Sequence, residues 1–250
     1  MNIVFILCFL FSVGSVLGWV MEVFFRKFIA SDNVERKWEN PGFCMGPYLP
    51  IYGSGVCALY LICGSSLGAG LAAPARWLAR LLVMTLCMNG LEFGAGVFLL
   101  KVMRVRLWDY STHKGNIMGV ICPSYSLLWA AAGAVYMLAD PYVRAVTGWF
   151  GGHMYGLFFT GMFYGVFFVD VAYSAHLIMR IKRFAEANQV IIRYGKLKDH
   201  INTMRAQAME KTHFLLSFVT KRPLIEYLTA AKGRLDAFAD RLPGFDRKGA

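Results

Sequence analysis

Five apolar runs, each near the roughly 20 residues that cross the hydrocarbon of a bilayer, constrain this chain more than any motif it carries. They cover about residues 3–25, 50–71, 81–100, 117–138 and 149–179. The last exceeds a single crossing, so it is expected to tilt or to emerge into the cytoplasm before Arg180. Only 16% of the 250 residues are charged and 57% are hydrophobic, against about 25% charged in soluble domains. The fold class expected is an all-α membrane protein: five transmembrane helices over residues 1–180, then a basic, amphipathic, helical cytoplasmic tail over 181–250.

Lysine and arginine set the expected orientation. The first connection holds Arg26, Lys27, Arg36 and Lys37, and the third holds Lys101, Arg104, Arg106 and Lys114. The second has only Arg76 and Arg80, the fourth only Arg144, while Lys182 and Arg183 begin a basic tail. The amino terminus is therefore expected outside and the carboxyl terminus in the cytoplasm. Met1-Asn2 gives no basic leader, so the first run reads as a span and not a cleaved signal. The net charge of +11 points to anionic lipid or an acidic partner, and no binding module supports nucleic acid.

The polar chemistry is concentrated in two connections on the inner side. Residues 106–119 (RLWDYSTHKGNIMG) join the third and fourth runs, with the headgroup-suited rings of Trp108 and Tyr110 around Asp109. Asn116 is placed to cap the fourth helix, and the stretch is read as the polar floor of a site. The other connection, residues 39–55, carries the turn signals Asn40-Pro41-Gly42 and Gly46-Pro47, with Pro50 in the first turn of the second helix. The second and fourth helices then start at one face, where their dipoles favour a carboxylate or an anionic ligand.

Three carboxylates lie in or against the spans. Glu22 and Asp170 fall near the inner interface. Glu92 precedes Lys101 by nine residues, roughly 13 Å below the inner surface, where an acidic residue costs about 2.5 to 3.5 kcal/mol. It needs a partner, a cavity or a proton. Asn89 shares its face, and Ser124, Tyr125, Ser126 and Tyr60 fall at matching depth on neighbouring helices, with Pro123 freeing a carbonyl beside them. The candidate pocket thus comprises Glu92 as buried charge, Asp109, Asn116 and Trp108 as floor, and Glu22, Tyr52, Asn40 and Asp170 as walls. Structural networks and helix caps are the alternative reading of the same residues.

No catalytic residue, metal site or cofactor is assigned. Cys8, Cys57, Cys63 and Cys87 lie in apolar runs and form no CxxC pair, while Cys44 and Cys122 are placed where they could approach each other and are not assigned as a nucleophile. His153 and His176 fall at opposite ends of one run, and His113 reads as a solvated loop residue. GxxxxGK[ST], HExxH and GxSxG are absent. Gly148, Gly152, Gly156, Gly161, Gly165, Gly90 and Gly94 form small-residue faces that pack helices within the chain or between copies. In the tail, broken by Gly195, Pro223 and Pro243, the apolar stripe Leu224, Tyr227, Leu228, Ala231, Leu235 and Phe238 suits a membrane surface, a second copy or a partner subunit.

Taken in order, Gly18-Trp19 with Glu22, Asn40-Pro41-Gly42-Phe43 with Gly46-Pro47 and Pro50-Ile51-Tyr52-Gly53, Leu91-Glu92-Phe93, and Trp108-Asp109-Tyr110-Ser111 with Asn116, Gly119 and Ile121-Cys122 carry a resemblance. They resemble the bacterial type IV ABC-transporter permeases, the CmpB-like membrane proteins, over about residues 4–180. Pro41 departs from the arginine expected there. The resemblance implies a multi-pass inner-membrane transport subunit whose ATPase is a separate chain. Beside this permease reading stand two others: a structural or regulatory membrane protein, dimeric through its glycine faces, whose basic tail recruits a partner, and a membrane enzyme acting on lipid.

Overall fold

The computed structural model describes residues 2–30, 36, 38–151, 153–187 and 192–193. Among them, five helices carry the fold. Helix α1 (Ile3–Phe28) starts where the Asn2 side chain accepts the Val4 N–H at 3.0 Å, and ends with Arg26 and Lys27 in its last turn, where cations complement the helix dipole. Helix α2 (Pro50–Gly64) begins on its proline and stops after 15 residues, where the Ser65 hydroxyl donates to the Ile62 carbonyl at 2.7 Å. Helix α3 (Ala73–Val97), with Pro74 in its first turn, runs on through a π-helical turn, Phe98–Val102. Helices α4 (Pro123–Gly151) and α5 (Met154–Ala187) complete the set.

Several helix boundaries differ from the sequence expectation. The second run is not helical to residue 71, because Gly68 adopts φ +73° and residues 65–71 close two tight turns. The fourth helix starts at Pro123 and not at Ile117. Met118 and Gly119 take φ of +56° and +68°, and the Ile117 N–H donates to the Ile121 carbonyl at 2.9 Å, so residues 117–121 form a tight turn. Pro123, as the first helical residue, frees no carbonyl; Pro141 is the proline inside α4. Arg76, Arg80 and Arg144, expected in connections, lie within α3 and α4.

The core joins α1, α2, α3 and α4 around Leu10, Leu59, Met84, Met88 and Tyr136. Backbones approach most closely between α1 and α2: a Cβ on Gly14 would lie 2.9 Å from Val56, and one on Gly18 would strike the Tyr52 ring. Of the glycines expected to pack, Gly156 does so, since a Cβ there would lie 2.8 Å from the Phe150 carbonyl oxygen, but most others are open. A Cβ on Gly90, Gly94, Gly148, Gly161 or Gly165 would meet nothing within 4 Å, and Gly152 lies outside the described residues. Spacing alone had marked them, but they face away from the bundle.

The far end of α5 packs on the connection after α3, with Val105, Ile178 and Ile181 buried together. There β1 (Val105–Arg106) pairs in parallel with β2 (Ile192–Arg193), a two-residue addition to the expected all-helical fold. The tail stripe from Leu224 to Phe238 lies outside the described residues.

Large apolar side chains cover the outside, among them Leu86, Leu138 and Val169, each more than 70% exposed. Water would penalise such a surface, whereas hydrocarbon accepts it, and the molecule is a membrane protein. Among the described residues, three stretches are long and apolar enough to cross: Ile3–Phe28, Ala73–Val102 and Met154–Arg183. Helix α2 is too short for that measure, and α4 has Asp140 and Arg144 along it and lacks a sufficiently apolar stretch.

Candidate functional site

Between α1, α2, α3 and α4 lies a cavity of about 540 Å³. The connection after α3 reaches back to form one of its walls. Of the residues expected to share a pocket, Glu22, Tyr52, Glu92, Trp108 and Asp109 line it; Asn40, Asn116 and Asp170 do not.

Glu92, on α3, is 5% exposed. Its Oε1 accepts the Tyr110 hydroxyl at 3.0 Å and its Oε2 accepts the Trp129 indole N–H at 2.8 Å. These donors are not the expected hydroxyls. Ser126 donates instead to Asn89 at 2.6 Å, Asn89 donates to the Thr85 carbonyl at 2.8 Å, and Tyr125 stacks on Tyr110 with ring centroids 4.2 Å apart. Tyr60 belongs to the opposite end, under Arg144. Burial first, then the neighbouring Glu92 carboxylate, push the Tyr110 hydroxyl far above its ordinary range, so it stays a proton donor. Sequence depth found Glu92, but nothing local marks Tyr110 and Trp129 as its partners.

Glu22, on α1, accepts the Tyr52 hydroxyl at 2.8 Å and the Arg26 guanidinium at 3.0 Å. The Tyr52 ring in turn lies 5.4 Å from that of Trp129, which links the two carboxylates through aromatic walls. His113, read as a solvated loop residue, is half-buried, lines the cavity and sets its ring 5.6 Å from that of Tyr125.

Within residues 106–119, Asp109 is clamped by Arg106 and accepts the Ser111 N–H at 3.1 Å. Burial works to raise its carboxyl, but the Ser111 hydroxyl and N–H, with the Arg106 guanidinium, outweigh it and hold Asp109 below the usual carboxylate value. Trp108 donates to the Val120 carbonyl at 2.8 Å. Asn116 is no helix cap: it accepts the Gly119 N–H at 3.0 Å and donates to the His113 carbonyl at 2.8 Å, fixing the turn that shapes the wall.

Asn40 and Asp170 brace the other connection. Asn40 accepts the Trp19 indole N–H at 2.7 Å and donates to the Met45 carbonyl at 2.8 Å. Asp170, on α5, accepts the N–H groups of Met45 at 3.1 Å and Gly46 at 2.7 Å, Ser174 at 2.9 Å, and the Tyr48 hydroxyl. Burial and then Asp170 raise the Tyr48 hydroxyl far above its ordinary range. Cys44 is buried beside Tyr48 and Phe167, whereas Cys122 lies against Ser124. At the opposite end, Arg144 pairs with Asp140 at 2.7 Å and donates to the Tyr60 carbonyl at 3.1 Å, while Arg80 donates to those of Ser65 and Leu67. These arginines cap the carboxyl end of α2.

A family model described as "Putative ABC-transporter type IV" matches residues 9–175, two thirds of the chain. The chain belongs to this family. Its matched span holds every residue that lines the cavity and both bracing side chains, Asn40 and Asp170, and it ends before the basic tail. Membership makes this type IV ABC-transporter relative a transport-related membrane protein. No solved structure matches it.

Proposed function

We propose that the chain is the permease-like subunit of a bacterial inner-membrane transporter, and that the cavity between α1 and α4 is its solute pocket, open to the cytoplasm. Five helices cross, with the amino terminus outside and the carboxyl terminus inside, and a separate ATPase chain supplies the energy, since the sequence contains no GxxxxGK[ST] loop. The observation that carries this reading is Glu92: a buried carboxylate on the wall of a 540 Å³ cavity, held by two neutral donors. Such a residue at membrane depth costs free energy that a purely packing role does not recover. In it Glu92 is the buried charge, Trp108 and Asp109 the floor, and Glu22 and Tyr52 the walls. Asn40, Asn116 and Asp170 hold the two connections in shape.

The test is uptake of a labelled metabolite panel into proteoliposomes carrying the chain and its ATPase. Glu92→Gln is expected to abolish uptake while the protein remains folded and inserted. Uptake at the wild-type rate by Glu92→Gln removes the pocket from the mechanism.

A second reading is favoured by one observation, the pairing of β2 with β1 two residues before Trp108. The basic tail then regulates the pocket wall, or recruits a partner or a second copy, with the open glycine faces as the contact between copies. Truncation after Ile181 is expected to change activity under this reading alone.

A further inference from the structure

We propose that the cavity takes an organic ammonium cation. This rests on reading the cavity as a ligand pocket and adds the chemical class of its occupant. The charge balance comes first. The acids on its wall are Glu22, Glu92 and Asp109, and the basic side chains are Arg26 and His113, the latter set against the Tyr110 and Tyr125 rings and not against Glu92. Glu22 is paired with Arg26, and Asp109 with Arg106. Glu92 receives only a phenol O–H and an indole N–H, and among the described residues no cationic side chain pairs with it. One buried carboxylate is thus left facing the space with no cation beside it.

The walls narrow the class further. Phe25, Tyr52, Trp108, Tyr110, Tyr125 and Trp129 all line the cavity, and the negative faces of such rings attract ammonium groups. A bare metal ion asks for six or more oxygen ligands if it is calcium, and among the described residues no three His, Cys, Asp or Glu side chains converge. An anion would meet Glu92 unpaired, and a neutral solute would leave its charge uncompensated. A volume of 540 Å³ is that of a site for a molecule of drug size, so the cation carries apolar substituents that fill the aromatic walls. A soluble amine and the headgroup of an amine-bearing lipid share this chemistry.

The full chain in maltoside micelles is titrated with benzyltrimethylammonium, benzyl alcohol and benzenesulfonate, three probes built on one ring with different charge. Tryptophan fluorescence and the melting temperature report binding. Only the cation is expected to saturate, with Glu92→Gln binding it at least about 30-fold more weakly and Glu92→Asp largely retaining it. Tyr125→Leu, which leaves both hydrogen bonds to Glu92 in place, is expected to weaken it about 2- to 5-fold, and keeps the test alive should Glu92→Gln not fold. Equal binding of all three probes, preference for the anion or the alcohol, no binding at all, or cation binding untouched by both variants overturns the proposal. Phosphatidylethanolamine added to the micelle separates the sources: competition with the probe assigns a lipid headgroup, and its absence a soluble cation, both within the class. Cation binding without movement across proteoliposomes refutes transport and leaves this inference standing. Movement of an anionic or neutral solute without cation binding does the reverse.

Discussion

Replacing Gly53 with alanine tests the packing of the bundle and the cavity wall together. A Cβ on Gly53 would lie 2.5 Å from the Phe11 carbonyl oxygen and 3.0 Å from the Phe11 ring, and would strike the Ser15 hydroxyl. The Ser15 hydroxyl can rotate away, but the Phe11 carbonyl is backbone, which no rotamer change removes. Ordinary contact begins near 3.4 Å, so α1 and α2 must part by about 0.9 Å. Tyr52 is the next residue, and its 2.8 Å bond to Glu22 crosses the same interface; that displacement would stretch it to about 3.7 Å, beyond hydrogen-bonding range. Overpacking costs about 1–3 kcal/mol and a lost hydrogen bond to a carboxylate about 1.5–3 kcal/mol, so a loss of about 2–5 kcal/mol is expected. Gly90→Ala is the matched control. Its Cβ meets nothing within 4 Å, and alanine in a helix interior is favoured over glycine by about 0.5–1 kcal/mol. Unfolding free energies in bicelles, measured on wild type and both variants, decide the matter. Equal stability of Gly53→Ala and Gly90→Ala would refute the close approach of α1 and α2.

Asp170→Asn should loosen residues 45–48, because a carboxylate that accepts four donors becomes an amide that accepts fewer and must place two N–H groups; a loss of about 1.5–3 kcal/mol and faster proteolysis in that segment are expected, and unchanged cleavage kinetics would count against the brace. Asp109 sets a pH dependence: its folded carboxyl lies below the ordinary value, so its stabilisation is complete above the unfolded carboxylate range and is lost as pH falls through the lower, folded value. Fluorescence of Trp108, with the other tryptophans replaced, should therefore hold down to acid below that range and then change, and Asp109→Asn should remove the transition.

Much of the architecture was legible because apolar length and turn residues act locally. Pro50 and the Gly-rich residues after Ser65 delimit α2 by backbone geometry, and only the second of these was passed over, since its residues are apolar enough to read as span. Asn116 was misplaced because a cap and a turn clamp use the same carboxamide, and the choice depends on Met118 adopting a left-handed conformation that β-turn statistics do not favour. Glu92 stood out because a carboxylate in an apolar helix is costly wherever it lies. Its donors did not, since Trp129 is one ring among many on α4 and Tyr110 arrives from a connection that folds back. The open glycines of α3, α4 and α5 were not resolved for the converse reason: spacing places residues on one side of a helix but does not say whether that side meets the same chain, another copy or lipid. The hydrogen bonds across long separations, such as those Asp170 accepts from the Met45 and Gly46 backbone N–H groups, lie beyond any local rule.

The shortness of α2 bears on how the molecule is made. Fifteen helical residues rise about 22 Å, some 8 Å less than the hydrocarbon they would cross. Were α2 to cross, the backbone flanking it would lie where no water completes its hydrogen bonds. Asp170 supplies them for Met45 and Gly46 at one end; Arg80 supplies them for Ser65 and Leu67 at the other, with Arg144 on the Tyr60 carbonyl. Every one of these side chains is synthesised after α2. As it leaves the ribosome the segment has α1 for company, through Gly14, Gly18 and Gly53 and through the Ser15 carbonyl that accepts the Leu49 N–H at 2.9 Å, but not yet the side chains that complete its ends. Helix α2 is therefore begun early and finished last, once α3, α4 and α5 have delivered the charged side chains that complete its ends.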